Sequence, residues 1–163
     1  MSRMAGSQAD STTIEAIYRE RFRSFLFSVT ALLGDGEAAL DVVQDGFALA
    51  LARQQTYRGD GSLEGWIWRI VLNVARDRQR SSQRRENFPP PELPEGAGEA
   101  DDAVRASLLA LPERQRLAVF LRYYADLSYD QIAEALGVRV GTVAAALHSA
   151  HSALQRNLEE VGR

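Results

Sequence analysis

An all-α fold, with two small helical domains joined by an acidic Pro/Gly-rich linker, is what this sequence predicts, and three observations predict it. Apolar residues recur at three- and four-residue spacing, and no segment keeps a sustained period of two. Four of the five prolines, Pro89, Pro90, Pro91 and Pro94, crowd into a stretch reaching Asp102 that also carries Glu92, Glu95, Glu99 and Asp101, a composition suited to a linker. A chain of 163 residues, 45% of them hydrophobic, matches one domain or two small ones with real cores. The expected boundaries are a disordered N-terminus at 1–13, a first domain at 14–88, a linker at 89–102 and a second domain at 103–163.

The elements follow in order. Ile14, Ile17, Tyr18, Phe22, Phe25, Leu26 and Val29 mark a first helix, and Leu40, Val43, Phe47, Ala50 and Leu51 a second, with Gly34-Asp35-Gly36 as the turn between them. Arg58-Gly59-Asp60-Gly61-Ser62 forms the next loop. Ser62 and Glu64 suit the start of a third helix running from Leu63 to about Arg85. Beyond the linker, helices are expected at about 102–110, 112–124, 128–136 and 140–158. Pro112 fits a first helical turn, and Ser128 with Gln131 makes a capping-box pattern.

Composition narrows the function. Nineteen basic residues stand against 22 acidic ones for a net charge of -3, so any polyanionic partner must be met by a local patch. All the basic residues are arginine, which reads as coding bias and carries no functional weight. The absence of cysteine excludes disulfides, thiolate metal sites and cysteine nucleophiles, and His148 and His151 are the only imidazoles. Enzyme classes, metals and cofactors all lose ground. The N-terminal stretch lacks an apolar core and no segment approaches a membrane span; the expectation is a cytoplasmic protein without membrane insertion.

Three features carry chemistry. On the third helix, Leu63, Ile67, Ile70, Val71 and Val74 share one face while Arg69, Asn73, Arg76 and Arg80 line another. Residues 76–85 hold five arginines against Asp77. Guanidinium groups suit phosphates and stack on bases, although a solvated basic helix end has the same composition. Trp66 and Trp68 stand one turn upstream, as core residues or as platforms for bases; Trp66 lies nearer the apolar face. On the second helix, Asp41, Gln44 and Asp45 oppose Val42, Val43 and Phe47, with Glu37 a turn earlier: a protein-docking patch or a solvated face. Near the C-terminus, residues 131–147 have helix-turn-helix spacing, with Ala133 at a close crossing, Gly137 at a turn favouring positive φ, and Ile132, Leu136, Val138, Val143 and Leu147 as shared core. An αα-hairpin without a DNA role has the same pattern. If the motif reads DNA, Arg139, Thr142, Ala145, His148 and Ser149 face the major groove.

In these blocks the chain resembles a bacterial sigma factor of the extracytoplasmic-function type. Asp41-Val-Val-Gln-Asp-Gly-Phe47 resembles the region-two element that docks on the β′ clamp helices of RNA polymerase. Tyr57 to Asp77 resembles the loop and helix that capture and melt the minus-10 element. Leu111-Pro-Glu-Arg-Gln-Arg116, Leu127-Ser-Tyr-Asp-Gln-Ile-Ala133 and Gly141-Thr-Val143 resemble region four, which binds the minus-35 element. The likeness spans nearly everything from Ile14 to Leu158. It implies a non-enzymatic specificity subunit whose partners are core polymerase, through its β′ clamp and β subunits, promoter DNA and an anti-sigma factor. It assigns Asp41, Gln44 and Asp45 to polymerase, Arg58, Trp66, Arg69, Asn73, Arg76 and Arg80 to the minus-10 strand, and Arg139, Thr142, Ala145, His148 and Ser149 to the minus-35 duplex. The chain departs from the family where DNA is read: Ala144-Ala-Ala146 and Ser149-Ala-His151 replace basic and polar runs. Two rivals follow: a stand-alone helix-turn-helix regulator, and a sigma-like decoy that binds polymerase or an anti-sigma factor without reading promoters.

Overall fold

The computed structural model describes residues 9–83 and 99–162. The first eight residues, Arg84 and Arg85, and the expected linker up to residue 98 lie outside them. In chain order the helices are α1 (Ser11–Leu33), α2 (Gly36–Ala52), α3 (Leu63–Gln83), α4 (Glu99–Leu109), α5 (Glu113–Tyr123), α6 (Tyr129–Leu136) and α7 (Val140–Val161), with a 3-10 turn at Gln54–Thr56. No strand occurs among the described residues, and no helix there is long and apolar enough to cross a membrane.

The helix starts follow their caps, and two differ from expectation. α1 begins at Ser11, inside the stretch expected to be disordered, because the Asp10 carboxylate accepts a hydrogen bond from the Thr13 N–H at 2.7 Å, satisfying a donor that the helix leaves orphaned. α4 begins at Glu99, within the expected linker; an acid-rich sequence is at home in a first helical turn, where the macrodipole is positive. Asp35 caps α2 through the N–H groups of Glu37 and Ala38. Pro112 sits at the N-cap of α5 rather than in its first turn. The capping box of α6 is complete: Ser128 Oγ accepts from the Gln131 N–H and Gln131 Oε1 from the Ser128 N–H.

In the first half α1, α2 and α3 pack around Phe25, which stacks on Trp68 at 3.7 Å and meets Phe47 edge-on at 4.9 Å. Trp68 is fully buried, so its face of α3 is core, and Trp66 is the tryptophan left half-exposed. That reverses their expected order: the preceding loop delivers α3 with Trp68 turned onto α1. Gly46 lets α2 and α3 cross closely; a Cβ there would lie 2.6 Å from Val71 Cγ2 and 3.0 Å from Val71 Cα. In the second half α4, α5 and α6 pack on α7 around Leu117, Leu121, Ile132, Val143 and Leu147, all buried.

The halves also pack against each other, α3 on α6 and α1 on α5. Phe27 of α1 stacks on Tyr124 and touches Phe120 edge-on, and Ser24 Oγ donates to the Tyr124 carbonyl at 3.2 Å. Nothing in the periodicity of either half foreshadows this seam.

Candidate polymerase and nucleic-acid interfaces

α2 turns Val42, Val43 and Phe47 inward and thereby presents Asp41, Gln44 and Asp45 to solvent. The patch is not purely acidic, since Arg78 of α3 reaches over to Asp41 Oδ2 at 3.7 Å. Beside Gln44 lies an apolar hollow of about 260 Å³ formed by Ile14, Tyr18, Phe47, Ala48 and Leu51 with Glu15 at its edge. Periodicity points to most of these residues as core and misses that they leave a recess at the surface.

α3 carries the basic stripe. Arg69, Asn73 and Arg80 are exposed and Arg76 is half-buried, and Arg80 is tied loosely to Asp77 at 3.8 Å with both side chains mostly in water. Such exposed pairs contribute little, so the guanidinium remains available to a phosphate. At the head of the stripe, the Tyr57 hydroxyl donates to the Gly61 carbonyl, and the Tyr57 and Trp66 rings meet at 5.5 Å. Ser62 Oγ accepts from the Gly65 N–H and starts α3. Together with Arg58 and Arg69 these side chains line a cavity of about 900 Å³, whose far wall is Ser128, Asp130, Gln131 and Glu134. Burial, and then the charges of Glu134 and Asp60, hold the Tyr57 phenol above its ordinary range, so it is a neutral donor there. Arg58, Trp66 and Arg69 are thus brought together, while Asn73, Arg76 and Arg80 continue away along α3. Tyr57 and Glu134 were not singled out from sequence; an aromatic beside a glycine-rich loop was the available signal for the first, and no local signal exists for the second.

The helix-turn-helix is formed as its spacing requires. Gly137 closes α6 at φ 65° and ψ 36°, a left-handed conformation that glycine adopts without strain, and the Val138 N–H returns to the Ala133 carbonyl at 3.0 Å. α7 starts without a side-chain cap at Arg139. Arg139, Ala145, His148 and Ser149 are exposed and Thr142 is half-buried, so the five lie on the open side of α7. His151, one turn on, is engaged elsewhere: its Nε2 is 2.8 Å from the Tyr123 hydroxyl of α5. Ala144 and Ala145 are exposed as well, leaving the start of this helix nearly without charge.

Comparison with known proteins matches both halves. The family model for sigma-70 region 2 matches residues 17–85 and that for sigma-70 region 4 matches residues 101–154. Among curated proteins, the RNA polymerase sigma-H factor of Pseudomonas aeruginosa is 27% identical, covering 98% of this chain and 99% of that protein. The extracytoplasmic-function sigma factor SigW of Bacillus subtilis is 25% identical over 96% of this chain and 92% of its own length, and the sigma-E factor of Streptomyces coelicolor 29% identical over 88% and 85%. The fold is shared with the sigma factor RpoE of Bartonella quintana, solved with the anti-sigma factor NepR: TM-score 0.72 at 23% identity, covering 91% of this chain and 98% of that one. It is shared too with CnrH, solved with the cytosolic domain of CnrY: TM-score 0.70 at 19% identity, covering 93% and 90%. With regions 2 and 4 both matched, in that order, over about three quarters of its length, the chain belongs to the sigma-70 family of transcription initiation factors, as a sigma factor of the extracytoplasmic-function type.

Proposed function

We propose that this sigma factor joins core RNA polymerase through Asp41, Gln44 and Asp45 on α2, holds the unpaired minus-10 strand with Arg58, Trp66, Arg69, Asn73, Arg76 and Arg80, and contacts the minus-35 duplex with Arg139, Thr142, Ala145, His148 and Ser149. The observation that carries the reading is the convergence of Arg58, Trp66 and Arg69 on one cavity at the head of the stripe on α3. Trapping an unpaired base must offset a few kcal/mol of unstacking. An aromatic wall supplies about 1–3 kcal/mol per stacked base, and guanidinium groups along the following helix hold the backbone. The hollow beside Gln44 is sized for an apolar side chain of the β′ clamp, which complements the charged contacts of the same patch. The β subunit takes the second domain, an anti-sigma factor is the expected regulator, as in the solved relative from Bartonella quintana, and the site of action is the bacterial cytoplasm.

The near-neutral face of α7, with Ala144 and Ala145 exposed, favours one second reading: a polymerase-binding decoy that does not read minus-35 sequences. A stand-alone regulator predicts operator binding without polymerase. Run-off transcription with purified core polymerase on genomic fragments separates all three. Promoter-specific transcripts that vanish when the minus-35 element is scrambled support the proposal; polymerase binding without transcripts supports the decoy; specific operator binding with no polymerase association supports the regulator.

A further inference from the structure

The loop ahead of α3 is tied into shape by side chains of the first half. It contains Gly61 and Gly59, the latter at φ 77°, and glycine loses more conformational freedom on ordering than any other residue. Such a loop samples many shapes unless something restrains it. The restraint is the Tyr57 hydroxyl, which reaches four residues along the chain and donates to the Gly61 carbonyl, closing a ring around Arg58, Gly59 and Asp60. Before the ring, the Tyr57 N–H returns to the Gln54 carbonyl at 3.3 Å. Beyond it, Ser62 Oγ accepts from the Gly65 N–H at 2.9 Å. Arg21 Nε of α1 also stands 3.3 Å from Glu64 Oε1, an ion pair without hydrogen-bond alignment, and so braces the head of α3. Both ends of the loop are anchored, and the phenol ties its middle.

We infer that Tyr57 is a positioning residue for the minus-10 strand: its hydroxyl, by tying the loop to Gly61, keeps Arg58 and Trp66 on one cavity before DNA arrives. This rests on the reading of Arg58–Gly65 as the base trap. A phenylalanine would make the same ring contact with Trp66, 5.5 Å between centroids and tilted by 53°, so the ring alone does not explain a tyrosine here. The hydroxyl adds the tie. Burial, and then the charges of Glu134 and Asp60, favour the protonated phenol, which is the form that donates. A loop ordered only when a base enters would charge that ordering to the capture step, whereas one already tied has met the cost on folding. Bases unpair after the promoter is first bound, so the tie acts on the opening step and not on the first encounter.

The experiment uses the full chain, alone and in holoenzyme reconstituted with purified core polymerase, as wild type, Tyr57→Phe and Tyr129→Phe. Tyr129 is an exposed tyrosine of α6 and controls for the loss of a phenol hydroxyl. Open-complex formation is followed on a promoter fragment recovered by run-off transcription, with holoenzyme concentration varied so that the saturating rate and the half-saturating concentration separate. Tyr57→Phe is expected to lower the saturating rate about three- to tenfold, the effect of one neutral hydrogen bond, and to leave the half-saturating concentration as in wild type. In the chain alone, acrylamide quenching of tryptophan fluorescence reports Trp66, because Trp68 is fully buried; it should rise in Tyr57→Phe and not in Tyr129→Phe. An unchanged saturating rate overturns the inference. So does a deficit shared with the half-saturating concentration, which marks general structural support, and so does slowing without a change in quenching. The two readings fail differently: if the base trap itself is wrong, Arg58→Ala opens the promoter at the wild-type rate, whereas if only the tie is wrong, Arg58→Ala slows opening and Tyr57→Phe does not.

Discussion

Gly46 illustrates how much one missing Cβ decides. It stands between Asp45, exposed on the proposed docking patch, and Phe47, buried against Phe25, and its Cα is where α2 rides over the backbone of Val71. In Gly46→Ala the new methyl would meet main-chain as well as side-chain atoms, so relief requires the helices to separate. A loss of about 1–3 kcal/mol is expected, the usual range for overpacking a core, read as a lower midpoint in urea at an unchanged slope. Glu134 gives a residue-scale prediction of a different kind. Its carboxyl is raised in the packed state by burial, so the packed state binds the proton more tightly than the unfolded chain does. The packed state is therefore favoured below the ordinary glutamate value and loses that contribution as pH rises through the raised one. In Glu134→Gln, a neutral isostere, the urea midpoint of the chain should lose the part of its pH dependence that lies just above the ordinary glutamate range. An identical profile in the variant would remove Glu134 from the dependence.

Most of each candidate surface belongs to one face of one helix, and at this scale much was legible beforehand. The apolar period orients α2 and α3 so that the opposite sides must carry Asp41, Gln44 and Asp45 and the arginine stripe, and glycine, proline and Ser/Asp caps mark most ends to within a few residues. What the pattern left open was which tryptophan is core, because Trp66 and Trp68 both lie beside the apolar stripe and only the tertiary position of Phe25 chooses between them. Asp41→Arg or Gln44→Ala should leave the helical fold intact and weaken association with core polymerase by about 2 kcal/mol, roughly thirtyfold in Kd; undiminished co-purification would remove the patch from the mechanism. Asp41→Arg also sets like charges beside Arg78, at present its ion-pair partner, so Gln44→Ala is the cleaner probe of the pair. For α3, alanine at both Arg76 and Arg80 should slow promoter opening and reduce the logarithmic salt dependence of binding by about 0.7 per lost contact with single-stranded phosphate. Opening at the wild-type rate and slope would leave the stripe as a solvated helix face.

The arrangement of the whole molecule was the least legible feature, since the seam joins residues as distant as Ser62 and Gln131 and uses polar groups that carry no periodic signal. It bears directly on how the second domain meets DNA. α7 from Val140 to Leu158 holds a single arginine, Arg156, far from the end proposed to face the groove, and Arg139 stands alone at its entrance. Few phosphates can be neutralised, so little counterion release is available. Thr142, His148 and Ser149 can hydrogen-bond base edges, and Ala145 can touch a thymine methyl. His151 is withdrawn from that set by Tyr123. These contacts discriminate bases but supply little attraction independent of sequence, so useful affinity must come from elsewhere. Tethering to polymerase through the first domain raises the effective concentration of the second at the duplex. The full chain alone should therefore bind a minus-35 duplex weakly, with a log–log salt slope of about -1 to -2, reflecting one or two phosphate contacts, while the holoenzyme binds the same element tightly and steeply. Because Phe120 and Tyr124 pack on Phe27 of the first domain, the comparison belongs to the intact chain and not to a fragment. Tight, strongly salt-dependent duplex binding by the chain without polymerase would overturn this account and return the molecule to the stand-alone regulator.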